Sequence, residues 1–204
     1  MALPLAHATA GYLLHRLDPR RSAFTGRPRA LTLMLVGILP DLDFLVGFAL
    51  GTPGAFHRGV SHTLVAALAF GLVAGAIARW RVGDRWVPAS LLFGAAYASH
   101  LVLDTLTVDA RGPSGAQIFW PFSHAYVIAP ITPFAEILID GTSRAGFVAT
   151  VLAWPAVTVL AREAGIAVVA VVAVSLLESW WRAPACESGP VLALASRRTE
   201  EDLA

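Results

Sequence analysis

The sequence predicts an all-α protein, a polytopic membrane bundle of about five to six apolar helices, and three observations carry that prediction. Hydrophobic residues make up 56 % of the 204 positions and charged residues only 14 %, against about 25 % charged in soluble domains. The apolar residues fall in runs close to the roughly 20 needed to cross a bilayer, with a mean hydropathy of +0.66. The basic residues, all of them Arg, collect between the runs. The net charge of +1 gives no basis for a nucleic-acid partner, and none is expected. The single Cys186 excludes an internal disulfide.

One membrane-embedded domain, residues 1–182, is expected, followed by a polar tail, 183–204. Residues 3–17 form a short apolar helix carrying His7 and His15. No basic residue precedes Arg16, and no cleavage site follows an apolar core, so this helix reads as retained. Arg16, Arg20, Arg21, Arg27 and Arg29 then place a loop in the cytoplasm. A first span runs outward over 30–50 and ends at Gly51, Pro53 and Gly54. His57-Arg58-Gly59 lies in the next loop, and Ser61 is the candidate N-cap of a helix returning to about Ala78. A second basic loop holds Arg79, Arg81 and Arg85. A third span follows, 86–107, with an external polar loop, 109–115, after it. Pro121, Pro130 and Pro133 break the apolar stretch 117–139, which reads as re-entrant or kinked. Two plain apolar helices, 145–161 and 165–181, complete the bundle. Trp86, Trp120, Trp180 and Trp181 fall near span ends as interface anchors. His15 is placed at the interface, and Glu136 and Asp140 at a membrane boundary.

The stretch 40–62, PDLDFLVGFALGTPGAFHRGVSH, sets carboxylates and imidazoles in apolar surroundings. An Asp near the centre of a spanning helix costs about 2.5–3.5 kcal/mol on insertion scales, so Asp41 and Asp43 need a compensating partner. Two residues apart on a continuous helix they point ~200° apart, and Pro40 supplies a kink or break that lets both contribute. His100 and Asp104, four apart, share one helix face, and Thr107 extends it. This is a two-ligand platform for zinc, although an internal His–Asp hydrogen bond satisfies the same pair. On the inferred topology Asp41, Asp43, His62, His100, Asp104 and His7 converge at one depth, in the outer half of the membrane. The metal ligands are therefore expected among His7, Asp41, Asp43, His57, His62, His100 and Asp104. Arg58 offers a fork suited to phosphate or carboxylate.

These motifs resemble those of the YdjM-like membrane-bound proteins, a family of metal-dependent hydrolases. The elements are Pro40-Asp41-x-Asp43, His57-Arg58-Gly59-x-Ser61-His62, His100-x3-Asp104-x2-Thr107, and Gly115 with Trp120-Pro121-Phe122-Ser123. A remoter similarity is to the zinc-dependent phospholipase C and single-strand zinc nuclease superfamily. There an Asp and a His are spaced like Asp43 and His57, an H-x-x-x-D pair follows, and an early His like His7 binds a neighbouring metal. The chain lacks that superfamily's later His and H-x-x-x-E set, so the resemblance implies one or two zinc ions. It further implies a zinc-dependent hydrolase acting on phosphoesters, with a membrane lipid or lipid-linked substrate. Asp41, Asp43 and Arg58 are then the catalytic residues: one Asp orients or deprotonates water, and Arg58 holds the anionic substrate. The site would face outward from an inner-membrane, multi-pass protein. The alternative is a non-enzymatic membrane protein, an ion or proton conduit or a metal-stabilised scaffold.

Overall fold

Pro4, whose missing N–H is harmless at a helix start, opens α1, Pro4–Leu17. The computed structural model describes residues 3–18, 26–108 and 114–182. The expectations for Arg20, Arg21, most of the loop 109–115 and the tail with Cys186 lie outside the described residues. After α1 come α2, Gly26–Ile38, a 3-10 turn, Leu39–Leu42, and α3, Asp43–Leu50. Then follow α4, Leu64–Val82, α5, Trp86–Thr105, α6, Arg144–Val151, and α7, Trp154–Arg182. Among the described residues there is no strand, only isolated bridges at Thr107–Phe134 and Ala116–Val127.

Four stretches are long and apolar enough to cross a membrane: Gly26–Leu50, Leu64–Val82, Trp86–Thr105 and Trp154–Trp181. The other apolar helices, α1 and α6, are too short to cross. The 14 residues of α1 reach only about 21 Å, short of a ~30 Å hydrocarbon core. The expected helices 145–161 and 165–181 are instead α6, of 8 residues, and α7, of 29. Pro155 sets the break by opening α7, whereas Arg162-Glu163 continues the helix because Glu163 is buried against α1. Expectation also fails at the start of α4. Thr63 is the cap, its hydroxyl accepting from Ala66 N–H at 3.1 Å, while Ser61 is drawn away to Asp43.

The proline-rich stretch is non-helical throughout, as its sequence indicates. It is sewn over the ends of the bundle. Leu64 N–H donates to Ile118 at 2.8 Å, Ala129 N–H to Thr105 at 2.8 Å, and Gly54 N–H to Gly141 at 3.0 Å. Arg144 Nε donates to the Phe48 carbonyl at 2.7 Å, capping α3. Irregular backbone of this kind is not stable in contact with lipid tails. It gathers at the end of the bundle where α4 begins and α5 ends. The opposite end gathers Arg16, Arg27, Arg29, Arg79, Arg81 and Arg85, with exposed Trp80, Trp86, Trp180 and Trp181.

Lipid is as apolar as Leu, so helices in a bilayer associate by close packing of small residues. The α4–α5 pair does this. A Cβ on Gly71 would lie 2.7 Å from the Ser90 carbonyl oxygen, and one on Gly75 would lie 2.8 Å from Ser90 Cα. Leu33, Val36, Phe93, Ala96, Tyr97 and Leu101 fill the core between α2 and α5. Leu35, Leu68, Leu91, Val169 and Leu176 are exposed and face outward, a surface suited to lipid. Gly71→Val is expected to lower stability in detergent by at least about 1–3 kcal/mol through overpacking. Leu68→Ala on the exposed face is expected to stay within about 0.5 kcal/mol. Thermal unfolding of the two variants checks this.

Candidate metal centre

The α2–α3 boundary decides the geometry. With Pro40 in the 3-10 turn the helix is locally rewound, and both acids turn inward although they are two apart. Asp41 Oδ1 lies 3.4 Å from His100 Nε2 and 3.7 Å from His62 Nε2. Asp43 serves a different set, with Oδ1 3.1 Å from His57 Nδ1 and Oδ2 3.2 Å from His62 Nδ1. His62 immediately precedes the Thr63 cap of α4, while His100 and Asp104 occupy the last turns of α5. Asp104 Oδ2 is 3.6 Å from both His62 Nε2 and His100 Nε2. His7, from α1, stacks on His100 with centroids 3.7 Å apart, and its Nε2 is 3.7 Å from Asp104 Oδ1. All seven residues read from the sequence as candidate ligands are thus brought into one cluster. His7, Asp41, His62, His100 and Asp104 are buried.

The proton inventory bears on what the cluster holds. The Gly37 carbonyl can only accept, so His100 donates Nδ1–H to it at 2.9 Å and turns Nε2 inward, a lone pair when the ring is neutral. Ser61 donates its hydroxyl to Asp43 Oδ2 at 2.9 Å. Its oxygen, 3.0 Å from His62 Nδ1, and Asp43 are then both acceptors for His62 Nδ1–H. His62 Nε2 likewise points inward, and it faces His100 Nε2 at 3.2 Å. With both rings neutral, two lone pairs at that distance repel unless a cation lies between them. The four oxygens of Asp41 and Asp104 are buried with no hydrogen-bond partner, and 3.4–3.7 Å is too long for such bonds.

The spacing fits a cation. Around zinc, with ligands at about 2.0–2.2 Å, the edge of a tetrahedron is about 3.3–3.6 Å. Asp41 Oδ1, His62 Nε2, His100 Nε2 and Asp104 Oδ2 have five mutual distances between 3.2 and 3.7 Å. Backbone carbonyl and carboxylate contacts fix the two imidazoles from behind, the arrangement that orients metal-binding His. Two further triads, His7-Asp41-His100 and Asp41-His57-His62, also have donor atoms within 4.8 Å of one another.

His57 is more enclosed than a loop His usually is. Phe44 stacks on it at 4.1 Å, and burial lowers its pKa, with Asp43 pulling the other way. Its Nδ1–H points to Asp43, and its Nε2 has no hydrogen-bond partner. Arg58 holds φ at 60°, so the left-handed residue of the corner is Arg58 and not Gly59, at −79°. Arg58 Nη1 donates to the Gly115 carbonyl at 3.2 Å, joining the corner to the overlying loop. Thr107 does not join the cluster: its hydroxyl donates to the Leu103 carbonyl at 2.9 Å. His124 is exposed on the loop, and His15 lies toward the Arg-rich end beside Tyr12.

Three contributors escaped the sequence reading. Gly37 lets α1 approach, since a Cβ there would strike the His7 carbonyl. Tyr97 donates its hydroxyl to the Ser61 carbonyl at 2.8 Å. Glu163 accepts the Leu3 N–H at 2.6 Å from inside α7. The available signals were Gly37 four residues before Asp41, and a lone Glu in an apolar run.

Fold and cluster together define an integral membrane protein with a buried acid–imidazole centre at one end of its helices. The chain belongs to the YdjM inner membrane protein family, whose model matches residues 1–183. Comparison with curated proteins and with solved structures gave no match.

Gly37→Ala is expected to push α1 away from α2 and lower the unfolding temperature, at a cost of about 1–3 kcal/mol. Its far-UV circular dichroism should stay unchanged. An unfolding temperature equal to wild type would show that the close approach of His7 to Gly37 is not a constraint.

Proposed function

We propose that the protein is a membrane-embedded, divalent-cation-dependent hydrolase of phosphoester bonds, acting on a lipid or lipid-linked substrate at the membrane surface. The observation that carries this is the set of four donor atoms, with five edges of 3.2–3.7 Å, two inward imidazole nitrogens and unbonded carboxylates. Asp41, His62, His100 and Asp104 hold the cation, zinc by the chemistry of the donors, with His7 alongside. A bound zinc ion supplies Lewis acidity, which favours ionisation of water near neutral pH and polarises a phosphoryl oxygen.

The remaining residues are the chain's own contribution. Asp43 accepts from His57 Nδ1, fixing the tautomer and leaving Nε2 as a base. Burial keeps that imidazole neutral and able to take a proton from the attacking water. Asp43 also holds Ser61 and His62, so it organises the base and one ligand together. Arg58, on the corner beside them, binds the anionic substrate. A headgroup-level substrate suits a cluster within a turn of where α4 begins and α5 ends, under irregular backbone. The Arg-rich opposite end favours an outward-facing site.

A conduit is the weaker reading. Between Glu163 and Glu178, α7 carries only Ala, Gly, Ile, Val, Leu and Ser175, which gives no polar line across the bilayer.

Purified protein is expected to retain zinc, and His100→Ala with Asp104→Ala to lose it. Zinc surviving that double change would overturn the site. Chelator-sensitive turnover of phospholipid or phosphodiester substrates is expected, and its absence on every substrate would favour a scaffold. His57→Ala should keep the zinc and lose about 10²-fold or more in turnover. For orientation, Phe122→Cys, which exposes the most open side chain of the loop, is expected to react with an impermeant thiol reagent on intact cells. Trp80→Cys should react only after lysis. The reverse pattern would turn the site inward.

A further inference from the structure

Glu163 has no part in the mechanism above, yet it is only 1 % exposed in the interior of a helix long and apolar enough to span the membrane. A carboxylate so placed needs compensation. Its Oε1 takes the Leu3 N–H at 2.6 Å, at the start of α1, where unpaired N–H groups and the helix dipole favour an anion. His7 sits four residues further on, about one turn of helix. Neither nitrogen of His7 has a hydrogen-bond partner, so nothing on the side chain itself sets its depth. The ring is placed by its stack on His100, by its approach to Asp104 and by where α1 sits.

The far end of α1 is clamped separately. Arg16 donates to both oxygens of Glu178, at 3.0 and 2.7 Å. The two helices run parallel, tied near residues 3 and 163 and again near 16 and 178. Losing the first tie leaves the second, and α1 can slide or tilt without leaving the bundle. The packing beside Glu163 joins the same elements, with Ala6, Phe134, Leu103, Leu106 and Ile166 in one apolar cluster.

We propose that Glu163 is a positioning residue for His7: by holding the Leu3 N–H at the N-cap of α1 it fixes the depth at which the His7 ring meets Asp104 and His100. The role of His7 beside the cation rests on the function proposed above; the docking of α1 by Glu163 does not.

Cobalt(II) is the probe for the first part, because its absorption spectrum reports the geometry of the ligand set, and the His7 ring stacks on one proposed ligand, His100. Glu163→Leu is expected to weaken Co2+ binding by about 10- to 100-fold, the range typical of residues that orient ligands, with the same spectral change as His7→Ala. Combining the two changes should cost no more than either alone. Glu163→Gln keeps an acceptor for Leu3 N–H and should restore the wild-type spectrum. A wild-type spectrum in Glu163→Leu, or additive losses in the double variant, would overturn the assignment. The second part is read without metal, by cross-linking Ala6→Cys to Ile166→Cys in a Cys186→Ser background. Glu163→Leu should lower the yield and Glu163→Gln should not. Should the wild-type protein bind no Co2+, the proposed function fails and the cross-link alone decides the docking, with equal yields overturning it.

Discussion

Unsolvated charge in a membrane bundle is the constraint on which the rest of this structure depends. Asp41 and Asp104 are buried, and their oxygens accept no hydrogen bond. Burial by the surrounding protein withholds the water that would make up the loss, so an arrangement of this kind needs positive charge delivered to it. Protonated imidazoles could supply some, and His100 and His62 each give one N–H to an acceptor behind the ring, the Gly37 carbonyl and Asp43. What they turn inward is Nε2, which as a neutral ring's lone pair can bind a cation. Anions and lone pairs converging from three helices and a loop corner are mutually repulsive on their own and mutually supportive around a cation.

The helices are built to permit that convergence. The 3-10 turn at Leu39–Leu42 converts a spacing that would separate two acids into one that divides their labour. Asp41 goes to the inner donors, and Asp43 to the imidazoles behind and beside them. Gly37 has two tasks at one position: its missing side chain admits the His7 backbone, and its carbonyl fixes the His100 tautomer. The close α4–α5 contact through Gly71 and Gly75 then holds His62 and His100, at adjacent ends of those helices, in register. Packing and chemistry are therefore linked through small residues, as is expected where no hydrophobic effect drives helix to helix.

Much of this was legible in the sequence. Hydrophobic runs and Arg clusters gave the membrane class, and the span boundaries near 50, 86 and 105 follow from Gly, Pro and charge. That the seven candidate residues come together was legible because most of them are ionisable residues within apolar runs, with His57 and His62 at the corner between two of those runs. What sequence left open was pairing. Asp41 from Asp43, and His57 from His62, can be separated only by knowing how the helix rewinds after Pro40. The misjudged region, 145–181, has a clear cause: Arg162-Glu163 resembles a loop by composition, but Glu163 is satisfied by a backbone N–H from a segment 160 residues away. Ser61 was misread for a similar reason, as a capping residue whose hydroxyl is instead claimed by Asp43.

X-ray absorption spectroscopy at the zinc edge, on protein dialysed after loading, tests the central claim most directly. Retained zinc is expected, with about four light-atom ligands at 2.0–2.2 Å, two of them giving the outer-shell scattering of imidazole. Zinc lost on dialysis, or a six-oxygen hydrated shell without imidazole scattering, would contradict it.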